Sequence, residues 1–333
     1  MVGRNPGYGL TQGEILSDHF KDTGYPVISV SSSPNRYARL ADIVTTLIRH
    51  SRNTDILMLQ VYAGRSFIVE DIASWLGQRF KHRIVMVLRN GEMPEFMSRF
   101  PVWTRRVLGR ADALVAPSGF LARAIIPYGL RAKVIPNLLD LPAYPHRHRQ
   151  TVKPRLLWMR TFDPDYNPTM AVRVLSILRS KMPEATLVMA GQDKGNGAEV
   201  RRLCNELRLD GAVRFPGFLD MGGKINEGQA ADIFLNTNKI DNTPVSVLEA
   251  CAMGLPVVAT NVGGIADLLT EGETGLLVPD NNVDAMVKAI YRLLNESGLS
   301  ARLSTNGRQV AQRSSWKQVY PQWKRILDEI MGT

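Results

Sequence analysis

DNTPVSVLEACAMGLPVVATNVGGIADLLTEGETGLLVPDNNVDAMVKAI, residues 241–290, is the stretch on which the fold turns. It reads as a loop, a helix, a Gly-Leu-Pro turn, a buried strand and a glycine loop. Asn242, Thr243 and Pro244 mark the helix start, a capping side chain followed by proline near the first turn. The amides of Val245, Ser246 and Val247 then have no intrahelical acceptor. With the helix dipole they form an anion site fit for a diphosphate. Glu249 lies about one turn further on and can accept hydroxyl hydrogens from a ribose; Asp241 precedes the helix and can accept them from a sugar. Read as bland structure, the same run is a β-loop-α-turn-β unit with a capping side chain.

PVVAT (256–260) is a short, continuous apolar run between two helical patterns. Runs of that kind recur on both sides of it. RLLWM (155–159), ATLVMAG (185–191), AVRFPG (212–217), ADIFLN (231–236) and GLLVP (275–279) alternate with helical patterns at 168–182, 197–208, 244–253 and 282–295. Upstream, PVISVS (26–31), DILMLQ (55–60), RIVMVL (83–88) and DALVAPS (112–118) alternate with amphipathic stretches such as 36–51 and 67–80. Apolar strands alternating with helices predict parallel sheets covered on both faces, the doubly wound pattern. Between the two series, PNLLDLPAYPHRHRQTVKP (136–154) is rich in Pro, His and Arg and has no period. The expected organisation is an N-terminal Rossmann-like domain over 1–140, a linker at 141–154 and a second Rossmann-like domain over 155–315. A helix at 316–333, bent or restarted by Pro321, is expected to pack back on the N-terminal domain. Two such domains face each other across a central cleft, with ligands outside the carboxyl ends of the strands. Only Met1 to Arg4 precede the first glycine loop, so the opening strand is expected to be truncated or very short.

The 333 residues suit two domains of roughly 150 residues each. With 44% hydrophobic and 22% charged residues the chain reads as globular. It opens without a long apolar stretch, which predicts no secretory signal, and no run reaches the ~20 apolar residues of a spanning helix. Cys204 and Cys251 sit in helix-like apolar patterns, which predicts buried thiols in a reducing, cytoplasmic setting. None of the five histidines lies at a motif position, and His146 and His148, two residues apart, have no carboxylate or cysteine nearby, so no metal is expected. The net charge of +10 favours anionic partners. Nucleotide phosphates and peripheral contact with an anionic membrane fit this charge. Nucleic acid is not expected, since no block of like charges appears, and a solvated basic surface explains the charge equally well.

The run from Asp241 resembles the donor site of glycosyltransferase family 4. That family carries two Glu residues separated by seven positions, then an A-x-G-x-P-V turn and strand. Here seven residues separate Asp241 from Glu249, which is followed by ACAMGLPVVATNVGG, with Asp in place of the first Glu. The resemblance covers nearly all of the chain and is strongest from Leu156 to Leu277. It implies the GT-B fold and a retaining, metal-independent transferase with no cofactor. The donor is a nucleotide-diphosphate sugar, and the acceptor a carbohydrate, a lipid-linked or a small molecule. It also implies roles for individual residues. Asp241 contacts the donor sugar, Glu249 the ribose, and Asn242, Thr243, Pro244, Val245 and Ser246 surround the diphosphate. Arg160, in RLLWMRTFDPDYNP, matches the family's phosphate-clamping Arg, whose planar fork suits phosphate oxygens. The family's Lys about five residues on is absent, with Asp165 and Tyr166 there instead; Lys194 in MAGQDKGNG is the candidate second cation.

VRFPGF (213–218) resembles the nucleobase loop, with Gly217 and Phe218 at the base, and Gly191 ends the preceding strand against the ligand. In NPGYGLTQGEILSDHF (5–20), Gly7 and Gly9 are the candidates for close backbone approach to phosphate. VLRNGEMPEF (87–96) resembles a strand-end loop that often reads Leu-His-Gly-Gly; Arg89 replaces the His and Asn90 a Gly. Arg89 cannot serve as a base but can bind an acceptor carboxylate or phosphate. On the residues alone, each glycine also reads as a simple turn, and Arg89 and Lys194 as solvated side chains. Two other readings stay open: a GT-B sugar-nucleotide epimerase, and a non-catalytic nucleotide-sugar-binding protein, which the absent Lys and Arg89 favour.

Overall fold

The computed structural model describes residues 10–332. The chain divides into two compact units. Unit 1 comprises the chain up to Leu138 together with the segment from Trp316 onward; unit 2 is Leu139–Ser315.

Unit 1 is built on four parallel strands in sequential order: β1 (Ile56–Val61), β2 (Arg83–Leu88), β3 (Ala113–Ala116) and β4 (Lys133–Val134). β2 is buried from Ile84 to Leu88, as a strand covered on both faces must be. Its side chains alternate between two cores. Ile84, Met86 and Leu88 join Phe67, Met93, Met97 and Leu121 on one face. Val85 and Val87 join Leu16, Phe20, Val319 and Trp323 on the other. The helix Trp316–Met331 is continuous, with Pro321 inside it, so proline neither breaks nor restarts it. Its buried residues Val319, Trp323, Ile326 and Leu327 recur at helical spacing and complete the unit 1 core.

One expected strand is missing. PVISVS (26–31) forms no ladder with the described residues. Ile28 is 55% exposed, so the apolar alternation buries no continuous face here. Two-residue β4 is the strand that patterning did not anticipate.

Unit 2 holds six parallel strands: β5 (Arg155–Met159), β6 (Thr186–Ala190), β7 (Val213–Gly217), β8 (Ile233–Asn236), β9 (Val257–Thr260) and β10 (Leu276–Val278). Their spatial order is β10-β9-β8-β5-β6-β7. Read from β7 this is the 3-2-1-4-5-6 order of dinucleotide-binding sheets, and the chain reverses direction across the sheet between β5 and β8. β5 is the central strand: Leu156 and Trp158 enter one core, Leu157 and Met159 the other. Residues 141–154, expected as a linker, are folded into unit 2. Tyr144 is buried in the second core. The Arg149 guanidinium is also buried, donating to the carbonyls of Met253, Gly228 and Ala231 and so closing two helix ends. Cys204 and Cys251 are free and buried, and burial pushes their thiols up to about 11 and about 12.

Candidate functional site

The reversal between β5 and β8 leaves a crevice outside the carboxyl ends of those strands, where open α/β sheets bind ligands. Arg160 is the first residue beyond β5, and Asp241 lies five residues beyond β8. They form an ion pair, the guanidinium on Asp241 Oδ2. The same oxygen accepts from Asn238 Nδ2 at 2.6 Å, and Oδ1 accepts the Asn242 N–H at 2.7 Å. Both carboxylate oxygens are therefore engaged. The ring of Tyr166 lies 4.2 Å from the Arg160 guanidinium carbon, a cation–π contact at the position where the family's Lys is lacking. Arg160 Nε is buried with no hydrogen-bond partner among the described residues. Thr237 ties the two strand ends together. Its hydroxyl accepts from Trp158 Nε1 at 2.9 Å and donates to the Tyr166 carbonyl at 2.8 Å.

Two glycines let the backbone close around this pair. At Gly191, φ is +151° and an added Cβ would lie 1.8 Å from the Arg160 carbonyl oxygen. At Gly263, φ is +53° and a Cβ would lie 2.0 Å from the Asp241 carbonyl oxygen. Any side chain at either place would displace the ion pair. The Gly191 N–H donates to the Gly217 carbonyl at 2.8 Å, which brings the ends of β6 and β7 together. Phe218 follows, half exposed.

The helix Val245–Ala252 begins differently from the expected pattern. Pro244 is itself the N-cap, and no side chain caps the helix; Asn242 and Thr243 are buried just before it. The Val247 N–H is not available, since it bonds the Pro244 carbonyl at 3.1 Å. The amides of Val245 and Ser246 have no acceptor among the described residues, and Ser246 Oγ is buried without a partner. One turn on, Glu249 Oε1 accepts both Tyr144 Oη at 2.9 Å and Lys224 Nζ at 2.6 Å.

Of the residues singled out in the sequence, Arg160, Gly191, Gly217, Asp241 and the helix start through Glu249 thus converge on one end of the unit 2 sheet. Lys194 sits in the exposed loop after β6, its N–H on the Phe162 carbonyl at 3.1 Å. Arg89 belongs to unit 1, just beyond β2. It donates to Gln60 Oε1 at 2.6 Å and to Asn137 Oδ1 at 2.8 Å. Burial pushes its guanidinium down to about 10, so it stays charged at neutral pH. Gly7 and Gly9 lie outside the described residues. Tyr144, Lys224 and Asn238 were not anticipated. Tyr144 sits in a stretch with no period, and nothing local marks Lys224 or Asn238 as facing a carboxylate.

Residues 146–310, which hold this entire arrangement apart from Tyr144, match the family model for glycosyl transferases group 1. Over that stretch the chain is similar to the group 1 glycosyl transferases. Among curated proteins, the D-inositol 3-phosphate glycosyltransferase of Saccharomonospora viridis is 31% identical over 175 residues, 50% of this chain and 40% of that protein. The phosphatidyl-myo-inositol mannosyltransferase of Mycolicibacterium smegmatis is 25% identical over 210 residues, 61% of this chain and 53% of that protein. The chain spans between 38% and 60% of the length of the curated relatives it matches. Among solved structures, Anabaena HepE with UDP and glucose aligns over 95% of this chain and 89% of that one, at TM-score 0.74 and 18% identity. Sucrose-phosphate synthase from Thermosynechococcus elongatus aligns over 96% and 92%, at TM-score 0.76 and 17% identity. Outside residues 146–310 too, then, the fold is GT-B: two α/β units with parallel sheets.

Proposed function

We infer that the chain moves a sugar from a nucleoside-diphosphate sugar to an acceptor with retention at the anomeric carbon, the donor being held by unit 2. The observation that carries this reading is the Arg160–Asp241 pair at the β5/β8 reversal, next to the open amides of Val245 and Ser246. The diphosphate docks on those amides and on Arg160, whose unpartnered Nε–H supplies a further donor. Glu249 accepts a ribose hydroxyl, and Gly217 and Phe218 border the base. The bond from the anomeric carbon to the diphosphate oxygen breaks, and the acceptor oxygen bonds that carbon from the same face. Its proton passes to an oxygen of the leaving phosphate. The leaving group gains negative charge in this step, so fixed positive groups beside it lower the barrier. Arg160 and the helix start supply them without a metal ion, and Lys194 is the candidate third contribution.

Asp241 accepts from Arg160 and Asn238 on Oδ2 and from Asn242 on Oδ1, so in this reading it holds Arg160 and keeps one lone pair on Oδ1 for a sugar hydroxyl. For the acceptor, Arg89 offers a charged contact to a carboxylate or phosphate. Two relatives bear names of inositol-containing acceptors, which makes a phosphorylated polyol or its lipid-linked form the first class to try. Among the described residues no helix is long and apolar enough to cross a membrane. The net charge of +10 suits peripheral contact with an anionic one.

A thermal-shift screen of UDP-, GDP-, ADP- and TDP-sugars tests the donor reading, because a ligand of the native state raises its melting temperature. Glu249→Ala is expected to stay folded and to bind the selected nucleotide at least tenfold more weakly by calorimetry. Wild-type affinity in that variant would refute the site assignment. Incubating the donor alone separates transfer from epimerisation, which would produce an isomeric nucleotide sugar.

A further inference from the structure

Glu249 is held more firmly than an acceptor of ribose hydroxyls requires. A free carboxylate turns easily about its last torsion, because that well is broad and roughly two-fold. Here two donors from separate segments converge on one oxygen. Tyr144 Oη reaches Oε1 from the stretch before β5, and Lys224 Nζ reaches it from the helix Met221–Ala230. Two donors fill the two lone pairs of that oxygen. Oε2 has no partner among the described residues. Burial, and then the neighbouring Glu249 charge, push the Tyr144 phenol upward, so it remains a donor throughout the physiological range. The Lys224 ammonium offsets a carboxylate that is 4% exposed and would otherwise be costly to keep ionised.

We propose that Tyr144 and Lys224 are positioning residues of the donor site, which clamp Glu249 Oε1 so that Oε2 is presented to a ribose hydroxyl. This rests on the donor reading above and adds a specificity device to it: the site distinguishes ribose from deoxyribose through an oxygen whose direction is set from behind. Neither residue has to touch the nucleotide.

The test is calorimetry with UDP, GDP and ADP, each against its 2′-deoxy and 3′-deoxy form, on the wild type and on Tyr144→Phe, Lys224→Met and Lys224→Arg. Tyr144→Phe keeps the buried ring and Lys224→Met keeps the stem, and a thermal melt checks that each is folded. The wild type is expected to prefer the ribonucleotide over one deoxy form by about tenfold or more, the worth of a hydrogen bond to a charged group. Tyr144→Phe and Lys224→Met are expected to reduce that preference to below about threefold while affinity for the deoxy form stays within about twofold. Lys224→Arg is expected to restore it. Variants that weaken ribo and deoxy forms alike, or keep the wild-type preference, overturn the proposal. A wild type that binds nucleoside diphosphates without preference also overturns it and leaves the donor site standing. A wild type that binds none of them overturns both.

Discussion

Replacing Asp241 by Asn keeps the shape of the side chain and removes its charge. In the wild type its two oxygens accept from three donors: Arg160, the Asn238 amide and the Asn242 N–H. An amide in its place presents its own NH2 to at least one of those donors. Breaking one side of a fully buried pair costs about 3–5 kcal/mol. The Arg160 side chain is 23% exposed, so part of that is returned by solvent, and about 2 kcal/mol is expected. For a unit of this size that lowers the melting temperature by about 4–8 °C. Arg160 stays charged and keeps its reach, so affinity for the nucleotide should change less than about threefold. Turnover should fall roughly a hundredfold, since the guanidinium is no longer held where the leaving charge develops. Melting curves, calorimetry and nucleotide release from the stabilising donor measure the three quantities. An unchanged melting temperature would show that the pair contributes nothing. A lower melting temperature with wild-type turnover would reduce Asp241 to a structural residue and remove the central argument for the site.

Gly191→Ala forces a methyl group against the Arg160 carbonyl at a φ that L residues rarely adopt, and should cost several kcal/mol together with nucleotide binding, read by urea denaturation and thermal shift. Glu70 is 6% exposed, its Oε2 has no hydrogen-bond partner among the described residues, and burial raises its pKa to about 8. Its folded value lies above its unfolded one, so stability falls as pH rises from about 4.5 to 8 and is flat beyond. Glu70→Gln should therefore stabilise the protein by on the order of a few kcal/mol more at pH 8.5 than at pH 5; an equal effect on the urea midpoint at both would contradict this. Turnover is expected to survive a metal chelator unchanged, because Arg160 and the helix start supply the positive charge; loss on chelation, with recovery on adding a divalent cation, would point to a different catalytic arrangement.

The unit 2 sheet was legible because its inner strands, such as β5, β8 and β9, are buried on both faces. RLLWM at 155–159 can only be a run of apolar residues if Leu156 and Leu157 point into different cores. Such runs do not report their pairing, which is why PVISVS at 26–31 looked equally strand-like without joining a ladder. Two residues of β4 are too few to carry a period. In the site, the acid spacing and the turn into Val257 were visible because they are local in the chain. The partners of those acids were not. Tyr144 is 105 residues from Glu249, and Asn238 reads as an ordinary loop residue until its amide is seen on Asp241. Departures from the expected helix start have the same origin: Pro244 is the cap by virtue of its backbone angles, which composition does not specify.

The return of the chain to unit 1 at Trp316 sets an order on its biosynthesis. A ribosome releases every residue of unit 2 before it releases the helix that carries Val319, Trp323, Ile326 and Leu327 into the other core. At roughly 5–20 residues per second, the earlier half waits some ten seconds or more with Phe20, Val85 and Val87 uncovered, while the later half already has its whole sequence in hand. A message broken near the codon for Ser315 would yield a polypeptide whose unit 2 matures and whose unit 1 exposes an unfilled apolar groove, a target for chaperones and proteases.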